Sequence, residues 1–149
     1  MINETVKLKG DLVITVLDKD GKVKERREEK NLIVSAGLTF ICSRMANATA
    51  GVMSHMAVGS GTTTPAASNT DLGTVLGARE PLDSTTASSN TVTYVSSFEA
   101  GEGTGAVTEA GLFNAASSGT MLCRTVFPVV NKGANDTMAI TWTITLSAS

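Results

Sequence analysis

Two glycine-rich stretches of the sequence have the composition of phosphate-binding loops. Residues 59–62 read Gly-Ser-Gly-Thr after a predicted strand, and residues 101–105 read Gly-Glu-Gly-Thr-Gly. The first stretch lacks the lysine and adjacent Ser or Thr with which a P-loop binds phosphate and magnesium. The second joins two strands with alternating patterns, whereas a dinucleotide-binding loop joins a strand to a helix. Both stretches are therefore predicted to be glycine turns, and no cofactor is expected.

Acidic residues near the N-terminus have part of the spacing of a calcium loop. Asp18, Asp20 and Glu29 match the first, third and twelfth positions of such a loop. The fifth position is Lys22, and the sixth, where glycine is needed, is Val23. A cation there would meet an ammonium group. The two aspartates, followed by glycine, instead predict a hairpin turn, and no metal site is predicted.

The residues best suited to catalysis are one histidine and a group of carboxylates. His55 is the only histidine, and no Gly-x-Ser-x-Gly nucleophile motif accompanies it. Glu99, Glu102 and Glu109 are close in sequence, and glycosidases use pairs of carboxylates. Sugar-binding clefts are usually lined by aromatic residues, which make up only 4% of this chain. No catalytic residue is predicted, and the protein is not expected to be an enzyme.

The last predicted strand indicates which fold positions these residues. Between residues 137 and 146 every even position is apolar and every odd position is Thr or Ala. Successive strand side chains point to opposite faces. Five apolar side chains would therefore share one face: Met138, Ile140, Trp142, Ile144 and Leu146. Such a face is stable only where another layer covers it, which indicates a β-sandwich or barrel. Several short strands with turn signals about every ten residues favour the sandwich, so we predict an all-β fold, an antiparallel, jelly-roll-like β-sandwich.

The first part of the chain is predicted to form a hairpin. Residues 6–17 read as a strand that Gly10 interrupts as a bulge or bend, and the charged residues 22–29 read as its solvated return strand at a sheet edge. No internal repeat or linker is evident. We predict a single β-sandwich domain over residues 1–149, with an N-terminal arm and hairpin in residues 1–30.

Two further segments depart from the strand pattern. Apolar spacing after Ser35, the predicted N-cap, indicates one short helix near residues 35–46. Residues 62–72 are rich in Thr, Ala and Ser and predict a long surface loop, a kind of segment that is often functional. Cys42 and Cys123 are expected to be free thiols, because two cysteines do not make a disulfide framework.

Composition and charge narrow the class of partner. A hydrophobic fraction of 42% excludes intrinsic disorder, and a charged fraction of 17% is low for a globular protein. A net charge of −2 without a basic stripe argues against nucleic-acid binding. No apolar run has transmembrane length, and the N-terminus lacks the apolar region of a signal peptide, so synthesis in the cytoplasm without membrane association is expected. Neutral hydroxylated surfaces suit contact with other proteins.

Two groups of motifs lie between residues 31 and 127. One group comprises residues 31–38, Asn-Leu-Ile-Val-Ser-Ala-Gly-Leu, and residues 56–63, Met-Ala-Val-Gly-Ser-Gly-Thr-Thr. The other comprises residues 108–115, Thr-Glu-Ala-Gly-Leu-Phe-Asn-Ala, and residues 121–127, Met-Leu-Cys-Arg-Thr-Val-Phe. Together with residues 131–133 and the last strand, the second group is similar to the pattern T-E-x-G-L-F, small turn, x-L-x-R. Both groups resemble motifs of structural proteins of tailed bacteriophages. The motifs are structural rather than catalytic.

The resemblance implies a non-enzymatic virion protein that binds a larger protein lattice. Tail-fibre attachment domains typically continue into a fibrous shaft, whereas this sequence stops at Ser149 after its last strand. We therefore expect a capsid cement (decoration) protein that stabilises the major capsid lattice. A tail, collar or baseplate/fibre-attachment adaptor is the alternative. The expected partners are the major capsid protein, or tail or baseplate proteins, and further copies of the chain in a homo-oligomer.

Specific residues are expected to support this role. The candidate lattice contacts lie in the N-terminal arm and the long loop: Val6, Leu8, Thr62, Thr63, Thr64 and Pro65. Arg124 lies among apolar residues and is expected to pair with Glu109, joining two neighbouring strands. A receptor- or carbohydrate-binding module is the competing function. It would need an exposed aromatic platform, for which Tyr94 is the candidate.

Overall fold

The computed structural model describes residues 4–46 and 51–148, which form two antiparallel five-stranded sheets and one helix. The protein is an all-β, sandwich-like fold with one short helix, as the sequence predicts. In chain order the elements are β1 (Val6–Leu17), β2 (Val23–Lys30), β3 (Leu32–Ile33), α1 (Ser35–Met45), β4 (His55–Gly59), β5 (Glu80–Pro81), β6 (Ser84–Ser88), β7 (Thr91–Phe98), β8 (Gly105–Phe113), β9 (Met121–Lys132) and β10 (Thr137–Ala148).

The first sheet has the strand order β2-β1-β10-β7-β6. The central strand β10 pairs with β1 along its whole length, from Val6 opposite Ala148 to Leu17 opposite Thr137. Alternate side chains of β10 are buried, and Trp142 is fully enclosed. The apolar face predicted from the sequence therefore points into the interior of the sandwich.

The second sheet has the strand order β3-β9-β8-β4-β5 and is covered on both faces. Its inner face contributes Val58 and Leu112 to the main core, which it shares with the first sheet. Phe113 and Met121 belong to a separate outer cluster, and Leu72 from the β4–β5 connection packs against it. Burial on both faces removes the alternation of exposed and buried residues from most of β8 and the first half of β9.

Gly10 makes room for a side chain that anchors Trp142. Trp142 Nε1 donates a hydrogen bond of 2.6 Å to Asn31 Oδ1, and a Cβ atom at position 10 would lie 1.6 Å from that oxygen. Of the bulge or bend expected at Gly10, the bulge is wrong, because β1 keeps a regular register there. Its register shift against β2 lies between Val16 and Leu17.

Helix α1 lies in the predicted region, but its N-terminus is not capped as predicted. The N-cap residue is Val34, which makes no side-chain cap. Ser35 is instead the first helical residue, and its N–H donates to the Ala67 carbonyl at 2.8 Å, so a tertiary contact replaces the cap. The helix approaches β9 closely at Gly37, where a Cβ atom would lie 2.2 Å from the carbonyl oxygen of Leu122.

Candidate functional site: a surface loop anchored on Glu109

The segment between β4 and β5 contains a surface loop whose two ends are joined. Gly59 and Val75 form an isolated antiparallel bridge, and the Ser60 N–H donates to the Thr74 carbonyl at 2.8 Å. We call residues 60–75 the anchored loop; it includes the loop predicted from the sequence. Compact surface loops with joined ends are frequently functional.

The carboxylate of Glu109 holds this loop against the second sheet. Glu109 lies on β8 and is fully buried. Its Oε2 accepts hydrogen bonds from the N–H groups of Gly61 at 2.6 Å and Thr74 at 2.8 Å, and its Oε1 accepts one from the Gly73 N–H at 2.8 Å. One carboxylate therefore satisfies three main-chain donors from the two ends of the loop.

Arg124 completes the anchor from the neighbouring strand β9. Its Nε and Nη2 donate to Glu109 Oε1 at 3.1 and 3.0 Å, and its Nη1 donates to Asn69 Oδ1 at 3.0 Å. In the β8–β9 register Arg124 lies opposite Gly111, and Glu109 lies opposite Val126, so the two charged side chains meet diagonally. The structure thus brings the predicted pair into contact. Through Asn69, Arg124 also binds the middle of the loop.

Several hydrogen bonds keep Glu109 ionised in spite of its burial. Burial raises the pKa of this carboxyl, while the N–H groups of Thr74 and Gly73, the Arg124 guanidinium and the Gly61 N–H lower it. The donors outweigh burial, and the pKa of Glu109 lies below its ordinary value of 4.5. Glu109 therefore stays a carboxylate that accepts five hydrogen bonds, three from the loop and two from Arg124.

Acidification is expected to destabilise the protein through Glu109. Because its pKa is lower in the folded state, the unfolded chain binds this proton first as the pH falls. The stabilisation is complete above the ordinary pKa and disappears as the pH falls through the lower, folded-state pKa. We expect the urea concentration at the unfolding midpoint to decrease as the pH is lowered below about 4.5. In Glu109→Gln this decrease should be smaller, because the variant lacks the titrating carboxyl. An identical pH dependence of the urea midpoint in the wild type and in Glu109→Gln would show that Glu109 is not responsible for it.

Two glycines of this region are explained by the anchor rather than by phosphate. A Cβ atom at Gly61 would lie 2.3 Å from Glu109 Oε2, and one at Gly59 would lie 2.6 Å from the same oxygen. At Gly73 the corresponding distance is 3.6 Å, an ordinary van der Waals contact, so the anchor does not require glycine at that position. The glycine-rich stretch therefore does approach an anionic group, but that group is a carboxylate of the same chain. The sequence contained the glycines and Glu109 without any indication that they meet.

The anchored loop presents a nearly uncharged outer surface. Asp71 is its only charged residue. Of the predicted lattice contacts in the loop, Thr62, Thr63 and Thr64 are exposed and Pro65 is half-buried. The loop is thus a preformed surface of small and hydroxylated side chains.

The other predicted contacts lie on the opposite sheet. Val6 is 67% exposed at the start of β1 and pairs with Ala148, while Leu8 is half-buried and pairs with Leu146. These residues therefore belong to the first sheet, and the structure does not gather them and the anchored loop into one cluster.

The residues considered for catalysis do not form one site. Ser54 Oγ lies 2.8 Å from His55 Nδ1, and within residues 4–46 and 51–148 no carboxylate is hydrogen-bonded to His55. Glu102 Oε2 accepts the Glu99 N–H in the connection between β7 and β8, whereas Glu109 belongs to the anchor. The three glutamates have separate structural roles.

The acidic residues considered for calcium form a hairpin turn. Asp18 Oδ1 accepts the N–H groups of Asp20 and Lys22 at 2.9 and 3.0 Å. Glu29 lies on β2 and faces Arg27 at 3.6 Å. In the described parts of the chain, no three His, Cys, Asp or Glu side chains are placed to hold a metal ion.

The aromatic side chains are directed inward. Tyr94 is only 9% exposed, and burial raises its pKa to about 12. Phe98, Phe113, Phe127 and Trp142 are buried as well, and Phe40 is half-buried. Tyr94 therefore offers no exposed platform for a sugar ring, which weighs against the carbohydrate-binding alternative. Both cysteines are free, with Cys42 exposed and Cys123 buried.

No protein-family model, curated protein or solved structure matches this chain. Across the described ranges, no helix has both the length and the apolarity needed to cross a membrane.

Proposed function

We propose that this chain is a non-enzymatic structural protein of a tailed-phage virion, a capsid cement protein that binds the major capsid lattice through the anchored loop. The observation that carries the proposal is the loop itself. Its exposed surface has one charged residue, Asp71, and Glu109 fixes its two ends to the sheet. Three of the motifs that resemble phage structural proteins supply the anchor. They contribute Gly61 from residues 56–63, Glu109 from residues 108–115 and Arg124 from residues 121–127.

A loop anchored in this way is suited to binding a large protein surface. Association costs conformational entropy for every segment that becomes ordered, and a loop held in place by its own protein avoids much of that cost. Charged residues are depleted in the centres of protein interfaces, as they are in this loop. Thr62, Thr63 and Thr64 supply hydroxyl groups that can bind main-chain groups of a partner.

Many copies on one lattice would make a modest single contact sufficient. Each copy binds a repeating surface, and contacts between copies raise the effective concentration of the next binding event. A homo-oligomer that contacts the major capsid protein fits this arrangement. A tail, collar or baseplate adaptor would use the same surface in a small ring. The number of copies per virion therefore distinguishes a capsid cement protein from such an adaptor.

The direct test is quantitative mass spectrometry of purified virions, followed by rebinding to particles that lack the protein. We expect on the order of hundreds of copies per particle, in keeping with a shell rather than a ring. Thr63→Lys should weaken rebinding by about tenfold or more, because it places a charge in the interface. Asn135→Lys adds the same charge at an exposed turn between β9 and β10 and should bind normally.

Three results would count against the proposal. A few copies per particle would favour the tail or baseplate station, and absence from virions would refute a virion role. Equal rebinding of the Thr63→Lys and Asn135→Lys proteins would show that the anchored loop is not the contact surface. Val6→Lys would then test the start of β1, where Val6 is exposed.

A further inference from the structure

The outer strands of the two sheets differ in how well they are protected against pairing with another chain. In β2 seven of eight residues are charged, and Arg27 donates from it to the carbonyls of Pro128 and Val129 on β9. β3 and β5 contain two residues each, and β5 includes Pro81. Charge, short length and proline are the devices that discourage edge pairing.

The strand β6 has none of these protections. It contains five residues, Ser-Thr-Thr-Ala-Ser, with no charge and no proline, and every one of them is exposed. It pairs with β7 on one side and is the last strand of its sheet on the other. Where β1 extends beyond β2, by contrast, it carries Lys7 and Lys9. Within the described residues, β6 is therefore the outer strand most open to a partner strand.

We propose that β6 pairs antiparallel with β6 of a second copy of this chain, joining the two first sheets into one continuous sheet. The register with the largest overlap places Thr86 opposite Thr86 of the second copy and Ser84 opposite Ser88 of the second copy. No charges face each other in this register, and cross-strand threonine pairs are favourable. The same arrangement of β2 would oppose charged side chains along most of its length.

The two-fold arrangement also explains why β6 does not need protection. Antiparallel pairing of identical strands is isologous, so each copy uses its only β6 edge and assembly stops at two. A head-to-tail contact would leave an open edge at each end. The dimer depends on β6 alone and is independent of the virion role and of the anchored loop.

Cysteine cross-linking tests both the contact and its register. In a Cys42→Ser background, which removes the exposed native thiol, we expect Thr86→Cys to form a disulfide-linked dimer under mild oxidation. Residues directly opposite each other have Cβ atoms about 4.5–5.5 Å apart. Thr85→Cys is the matched control. Its two copies would be offset by two residues along the strand, about 7 Å, and beyond disulfide reach.

Sedimentation velocity on the native chain gives an independent readout. The wild-type protein should show a concentration-dependent monomer–dimer equilibrium, and Thr86→Lys should weaken it by about tenfold or more because two ammonium groups meet at the two-fold axis. Asn135→Lys, with the same charge at the exposed turn between β9 and β10, should dimerise as the wild type does. Equal cross-linking at positions 85 and 86, a wild-type protein that stays monomeric, or a Thr86→Lys protein with unchanged self-association would overturn the proposal.

Discussion

Replacing Arg124 with alanine is expected to lower the free energy of unfolding by about 3–5 kcal/mol. The substitution leaves the carboxylate of Glu109, which is fully buried, without its cationic partner, and it also removes the hydrogen bond to Asn69. An uncompensated buried charge is among the costliest single changes in a protein interior. Urea unfolding monitored by Trp142 fluorescence measures the effect.

A double-mutant cycle separates the interaction energy between Glu109 and Arg124 from the energies of the other contacts that each residue makes. Glu109→Ala should destabilise at least as strongly as Arg124→Ala, because the N–H groups of Gly61, Gly73 and Thr74 also lose their acceptor. The double variant should be less destabilised than the sum of the single variants by about 2 kcal/mol. Arg26→Ala, which breaks an exposed ion pair with Glu28, should cost less than about 1 kcal/mol. Additive effects at Glu109 and Arg124 would show that the contact contributes no coupling.

Replacing Gly37 with alanine is expected to destabilise the protein by about 2 kcal/mol, although alanine is the better helix former. Gly37 is the one buried residue of α1. Its added Cβ would lie 2.2 Å from the Leu122 carbonyl oxygen, a main-chain atom of β9 that cannot move without disturbing the sheet. The helix would have to shift away from β9. Thermal or urea unfolding measures the loss.

The control for this prediction lies two residues further along the same helix. Thr39 is exposed, and Thr39→Ala should raise the free energy of unfolding by a few tenths of a kcal/mol through helix propensity alone. Opposite signs at positions 37 and 39 would show that close packing on β9 determines the effect. A stabilised Gly37→Ala protein would mean that α1 does not approach the sheet so closely.

The features that the sequence predicted well are local ones. The alternation between residues 137 and 146 depends on a period of two, and it identified both the strand β10 and its buried face. The turn at Asp18 and the short helix followed from side-chain chemistry and spacing within a few residues. Short-range patterns of this kind require no knowledge of which strands become neighbours.

The features that the sequence missed depend on contacts between distant segments. Ser35 resembled an N-cap, but its N–H finds a carbonyl in the anchored loop instead. Gly10 resembled a bulge, but it leaves room for Asn31. Glu109 and Arg124 were identified as a pair because their strands are neighbours in sequence, whereas the loop lies 48 residues away at Gly61. No local sequence pattern predicts a contact between segments so far apart in the chain.

Amide hydrogen exchange at Gly61, Gly73 and Thr74 tests most directly whether Glu109 fixes the anchored loop. In the wild-type protein we expect these three amides to exchange as slowly as neighbouring amides of β8, because their hydrogen bonds end on a buried carboxylate. In Glu109→Gln they should exchange faster, while the amides of β10 stay protected. Exchange at the rate of an unstructured peptide in the wild type, or unchanged rates in the variant, would contradict the account.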